Sequence, residues 1–179
     1  MNPERWQRIE KLFRAVVDRP MNNLANLLRE KESYEEAGTL HRQALAMRRK
    51  LFGDASPSVA MNLHDLAVLS YLEGRYTEAE KTERQAIDIF QKAFEPDHWR
   101  IQRSRSQLGA CLTKLKRYQE AEEQFLPAYA GLKATRGEKN DFTRTAVSHL
   151  IQLYRSWGKP ERAEPYLALP QANPDRSKK

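Results

Sequence analysis

The chain has 179 residues, a formal charge of +7, a pI near 9.6, 40% apolar residues and a mean hydropathy of −0.82. That length suits one domain or one short repeat array, and the apolar share is lean for a compact globule. The sequence holds no run of ~18 apolar residues to span a membrane. Its single cysteine, Cys111, excludes an internal disulfide framework and points to a reducing compartment, the cytoplasm.

The first segment, residues 1–17, reads as an amphipathic helix from Pro3 to Val17 with Trp6, Ile9, Phe13 and Val16 on one face. It carries charges throughout and lacks the apolar core of a secretory signal. The expectation is a capping helix that covers the open end of the helices beginning near residue 18.

From residue 18 onward the chain repeats itself. A shift of 42 residues puts Tyr34 on Tyr76 and Tyr118, then on Pro160. The same shift superposes Leu24, Leu66, Leu108 and Leu150, then Ala37, Ala79, Ala121 and Ala163, then Ala44, Ala86 and Ala128. No gap is needed. Such a period means stacked supersecondary units, each burying its apolar face against the next.

Each unit reads as two helices. In the second, Ser56 is placed to cap, Pro57 to occupy the first turn, and Leu63, Leu66, Ala67 and Leu69 follow at helical spacing until Gly74. Tyr76 starts the partner helix, with Ala79, Ala86, Ile87 and Phe90 facing inward. The small Ala37, Ala79 and Ala121, and Gly109 in the column of Ala25 and Ala67, allow paired helices to approach closely. The units divide as 18–55, 56–96, 97–139 and 140–170. Pro20 shortens the first opening helix, Pro165 and Pro170 shorten the last, and residues 171–179 read as a disordered tail.

The phrases Asn22-Asn23-Leu24-Ala25-Asn26-Leu27-Leu28, Tyr34-Glu35-Glu36-Ala37 and Arg42-Gln43-Ala44-Leu45-Ala46-Met47-Arg48-Arg49-Lys50-Leu51-Phe52-Gly53 resemble the tetratricopeptide repeat. The 42-residue period resembles its kinesin light chain subtype, over roughly residues 18 to 169. The resemblance implies an all-α solenoid of about four antiparallel hairpins behind the N-terminal capping helix. It also implies a protein-binding scaffold whose opening helices line a concave groove. The leader is weakly similar to the segment before the kinase domain of bacterial serine/threonine kinases that carry such repeats. The kinase domain itself is absent. The glycines never form a phosphate-binding loop, and no HRD-like or DFG-like element occurs.

Enzyme chemistry finds no footing. His41, His64, His98 and His149 do not pair with one another or with Cys111 at ligand spacing, so structural or surface roles are expected of them. Cys111 shares a column with Leu27, Leu69 and Leu153 and reads as core rather than as a reactive thiol. The carboxylates fall mostly on second helices, where solvated, salt-bridged faces are expected. No catalytic residue, cofactor or metal is expected.

Carried over by column, the resemblance gives a groove of Arg19, Asn22, Asn26 and Arg29; Met61, His64, Val68, Tyr71 and Leu72; Arg103, Ser106, Ala110, Thr113 and Lys114; and Ser148, Gln152 and Arg155. Asn22, Asn26, Arg29, His64, Val68, Tyr71, Arg103, Ser106, Lys114 and Gln152 are the peptide-binding candidates. Asn22 and Asn26 lie one turn apart, and an amide both donates to and accepts from a peptide backbone. Family consensus without binding explains them as well. Tyr71 is either an aromatic anchor beside Val68 and Leu72 or a residue packed on the next unit.

Between His98 and Gln119 six basic residues (Arg100, Arg103, Arg105, Lys114, Lys116 and Arg117) meet no acidic one. At about 100° per residue, Arg103, Lys114 and Arg117 share the side of Ala110, toward the groove. The expected partner is therefore a protein or peptide segment, extended and acidic, with no membrane involved. Nucleic acid is the disfavoured rival, because the only aromatic near the basic run, Trp99, reads as part of an inter-repeat loop. Self-association through half-covered edge hairpins is a third reading.

Overall fold

The computed structural model describes Leu12 and residues 19–172, and these are helical or in short turns, with no strand among them. The helices are α1 (Arg19–Glu30), α2 (Tyr34–Phe52), α3 (Pro57–Leu72), α4 (Tyr76–Ala93), α5 (Trp99–Lys114), α6 (Tyr118–Arg136) and α7 (Asp141–Ser156). A 3₁₀ turn, Pro160–Ala163, and a short α8, Glu164–Leu167, complete the chain order. The expected capping helix of residues 1–17 lies outside the described residues except for Leu12, which is exposed. Residues 173–179 of the expected tail lie outside them too, whereas the backbone of Gln171 and Ala172 is hydrogen-bonded to Arg144 and Ser148 of α7.

The 42-residue register reappears in the helix ends. Ser56, His98 and Asn140 stand one period apart and cap α3, α5 and α7 by accepting from the backbone N–H two residues on, at 3.3, 3.3 and 3.0 Å. This satisfies a donor that the first turn leaves unpaired. The turn into each closing helix uses a left-handed residue at one further column: Glu32, Gly74, Lys116 and Gly158, with φ of 61°, 78°, 61° and 73°. Glycine adopts that conformation freely, whereas the side chains of Glu32 and Lys116 adopt it at a cost.

The core is a chain of clusters, each shared between neighbouring hairpins, as expected where every unit contacts only its neighbours. Leu45 of α2, Val59 and Leu63 of α3, Phe90 of α4 and Ile101 of α5 form one cluster. Ile87, Leu108, Phe125, Leu150 and Tyr154 form the next. Ala37, Ala79 and Ala121 are fully buried, so the small column sits at the helix contacts. Gly109 faces the Phe125 ring so closely that a Cβ there would lie 2.8 Å from it. Burial along the leucine columns rises with position. Leu24 and Leu27 on α1 are each 48% exposed, whereas their counterparts Leu150 and Leu153 are fully buried.

Candidate functional site

The opening helices α1, α3, α5 and α7 together line a cavity of about 360 Å³. Arg29 enters it from the last turn of α1, and His64, Val68, Tyr71 and Leu72 from the second half of α3. Arg103, Ser106 and Gln107 come from the middle of α5, and Asp141, Phe142, Thr145 and His149 from the first turn to the middle of α7. The cavity thus crosses the helices obliquely, from the C-terminal end of α1 to the N-terminal part of α7.

Of the ten sequence candidates, Arg29, His64, Val68, Tyr71, Arg103 and Ser106 meet here. Lys114 and Gln152 flank a shallow depression next to it that shares Tyr71 and His149. Asn22 and Asn26 line neither: Asn26 is exposed, and Asn22 is half-buried with its Oδ1 unpaired among the described residues. The expected groove does not include Gln107, Asp141, Phe142, Thr145 or His149, and the expectation for His149 is a structural or surface role. Thr145 stands one period after Arg103, so its column was readable. The others enter because of the oblique crossing.

Arg103 is the central cation. Its guanidinium lies over the Phe142 ring, 4.8 Å from the centroid, and makes no ion pair among the described residues. Burial lowers its pKa, partly offset by the negative fields of Asp65 and Glu83. Arg29 shares the cavity and is also without an ion pair among the described residues. Tyr71 lines the cavity and also packs on the adjoining core, edge-on to Tyr76 at 5.4 Å. Burial pushes its hydroxyl pKa up to about 12, so it stays a neutral donor.

Arg117 departs from the expected groove cluster. It reaches back to α4 and α6 instead, holding Glu80 at 2.7 Å and Glu120 at 2.6 Å. The basic run lacks acidic residues only along the chain, and neighbouring helices supply them. Trp99 is likewise not in a loop but opens α5, stacked on Phe142 at 5.3 Å with Arg100 and Arg136 against its ring. Rings and guanidinia therefore do interleave, but on one another, which ties the third unit to the fourth.

A polar seam, buried or half-buried, runs along the wall of the cavity. His41 Nδ1 meets the Asn62 amide at 3.1 Å, and His149 Nδ1 meets the Ser106 hydroxyl at 3.1 Å. Between them His64 Nδ1 meets Glu83 Oε1 at 2.8 Å and Ser104 Oγ at 3.3 Å. Glu83 is fully buried, an exception to the solvated, salt-bridged faces expected of second-helix carboxylates. Serine, histidine and glutamate here do not form a catalytic triad. A triad places acid and nucleophile on opposite ring nitrogens, whereas both partners share Nδ1, and Nε2 is buried without a partner among the described residues. Cys111 is fully buried and its pKa is pushed up to about 12 by burial, so it is a packed thiol. Among the described residues no group of three or more His, Cys, Asp or Glu could hold a metal. None of the described helices is long and apolar enough to cross a membrane.

A family model of the tetratricopeptide repeat matches residues 16–92 and 100–168. No curated protein matches the chain. Among solved structures, a candidate kinesin light chain of Podosopora anserina with nearly identical TPR-like repeats is similar at 23% identity and a TM-score of 0.73, over 83% of this chain and 71% of that one. BtubC (BKLC) from P. vanneervenii is similar at 20% identity and a TM-score of 0.74, over 91% of this chain and 65% of that one. At such identities the likeness shows the fold. Together with the family match and the 42-residue hairpins, it establishes that the chain belongs to the tetratricopeptide repeat family, a protein-interaction scaffold with a kinesin light chain-like fold.

Proposed function

We propose that the oblique cavity binds an extended, acidic peptide segment of a partner protein, with an apolar residue of that segment lodged against Val68, Tyr71 and Leu72. The observation that carries this reading is the pair of arginines, Arg29 and Arg103, that line the cavity without an ion pair among the described residues. A half-buried guanidinium without a carboxylate keeps an unmet electrostatic demand, and a ligand carboxylate meets it by charge-assisted hydrogen bonds. Lys114 and Gln152 extend the surface toward the fourth unit; Asn22 and Asn26 lie outside the cavity and would meet only a segment that continues past it along α1. No cofactor or metal is needed. One buried thiol and no disulfide suit the cytoplasm.

Fluorescence anisotropy with a labelled Glu-Glu-Leu-Glu-Glu peptide tests the reading. Arg103→Glu weakens binding about tenfold or more and flattens its dependence on salt, because a desolvated cation becomes an anion. Lys114→Glu, at an exposed position, has a smaller effect. Equal affinity in wild type and Arg103→Glu would refute the site.

Nucleic acid remains the alternative partner, favoured by the interleaving of Trp99, Phe94 and Phe142 with Arg100, Arg103 and Arg136. Those ring faces are already covered by one another and by guanidinia, which leaves little platform for bases. Filter binding at two salt concentrations decides it. Self-association draws on the exposed Leu24 and Leu27 at one end of the stack and Leu167 near the other. Sedimentation tests that.

A further inference from the structure

The repeat supplies its own reference for reading a second cleft, on the outer side of the stack between α2 and α4. At the joint between the second and third units, Glu80 acts as a clasp. It accepts from Arg84 on its own helix at 3.0 and 3.1 Å, and from Arg117 of the next unit at 2.7 and 2.8 Å. Its side chain is only 13% exposed. One period later Glu122 does the same work, accepting from the Tyr154 hydroxyl at 2.6 Å and pairing with Arg162 at 2.8 Å.

One period earlier, at the joint between the first and second units, the arginines are kept and the carboxylate is not. Arg42 stands in the column of Arg84 and Arg75 in the column of Arg117, but Gly38 stands in the column of Glu80. Where the glutamate side chain would lie there is a cavity of about 370 Å³, bounded by Gly38, Arg42 and Arg75 over a floor of Leu63, Leu66 and Leu69. Arg42 makes no ion pair among the described residues and donates to the Thr39 hydroxyl at 3.1 Å instead. Arg75 has turned to Glu73 and Glu78 of its own unit.

We infer that this cleft is a second binding site, which takes a glutamate side chain of a partner segment between Arg42 and Arg75, at the position that Glu80 fills in the following unit. The guanidinium of Arg42 supplies the charge-assisted donors, and the leucine floor takes an apolar neighbour of that glutamate. Arg75 holds Glu73 and Glu78, and Arg49 is paired with Asp54, so Arg42 is the cation of the cleft without an ion pair among the described residues, sharing the lining with one carboxylate, Glu35, that also has none there. The site shares no lining residue with the concave cavity, so it does not depend on the function proposed for that cavity.

The test is a backbone amide NMR titration of the full chain with acetyl-Leu-Glu-Leu-amide, with its Gln counterpart and with glutarate. In wild type the Glu peptide shifts the Gly38 and Ser70 amides, and the Gln peptide leaves them in place into the millimolar range. Arg42→Ala weakens the titration about tenfold or more. Gly38→Glu abolishes it by restoring the internal clasp, which its geometry admits because a Cβ there meets only the flexible tip of Arg42, at 3.1 Å. Arg103→Glu leaves the titration unchanged. The inference is overturned if the Gln peptide titrates equally, if Arg42→Ala binds the Glu peptide as tightly as wild type, or if the Glu peptide shifts nothing. Glutarate binding as tightly as the peptide overturns the assignment to a partner's side chain.

Discussion

Two glycines inside helices, Gly109 and Gly38, respond with opposite sign to the same substitution. In a helix interior alanine is favoured over glycine by about 1 kcal/mol, because glycine loses more backbone freedom on folding. At Gly109 an added Cβ lies 2.8, 2.9 and 2.9 Å from Cε1, Cδ1 and Cζ of Phe125, a ring with no exposed surface into which to retreat. Overpacking of this kind costs about 1–3 kcal/mol, so Gly109→Ala is expected to lose about 1 kcal/mol net. At Gly38 the added Cβ meets only the mobile Arg42 guanidinium, at 3.1 Å, and the propensity gain of about 0.5–1 kcal/mol survives. The columns explain why unit three needs its glycine. Ala25 and Ala67 stand in the column of Gly109, while His41 and Glu83 stand in that of Phe125, so only the third unit sets a full aromatic ring against this position. Urea unfolding followed by far-ultraviolet circular dichroism measures both variants. Phe125→Leu in the Gly109→Ala background should recover part of the loss, a non-additivity that independent sites do not show. A neutral or stabilising Gly109→Ala, or a destabilising Gly38→Ala, would refute the reasoning.

Other contacts carry expectations of their own. Lys116→Gly and Glu32→Gly relieve side chains held at φ of 61° and should each raise stability by about 0.5–1 kcal/mol, read as a higher urea midpoint; a loss at both positions contradicts the strain. Glu80→Ala and Arg117→Ala should be non-additive in a double-mutant cycle, with a coupling of about 0.5–1 kcal/mol because Arg117 is 40% exposed; zero coupling removes the clasp from the account. Burial lowers the His149 pKa from 6.5 to about 4. Between those values the unfolded chain binds a proton that the native ring refuses, so stability falls as pH falls through this window, by up to about 3 kcal/mol. His41 is shifted in the same direction, mainly by burial, and adds to the loss. His149→Gln should flatten the pH dependence of the urea midpoint; an unchanged slope shows that His149 does not carry it.

The repeat, the pairing of helices and the columns that become core are all legible in the order of residues along the chain. Residues 42 apart meet equivalent neighbours whenever each unit packs only on the next, so Ala37, Ala79 and Ala121 are assignable to helix contacts from the period alone. Caps and turns obey the same register, although a left-handed residue is visible in sequence only where it is glycine, which is why Glu32 and Lys116 went unread. The tertiary structure decided what lies between columns. The cavity crosses the opening helices obliquely, from the end of α1 to the N-terminal part of α7, and takes in Phe142 and His149 while passing Asn22 and Asn26. It also decided charge. Arg117 met no acid along the basic run and found Glu80 across the joint, while Arg42, in a chain dense with glutamates, has no ion pair among the described residues. Ion pairs form between groups that are close in space, and a period read along the chain does not contain the angle at which one hairpin meets the next.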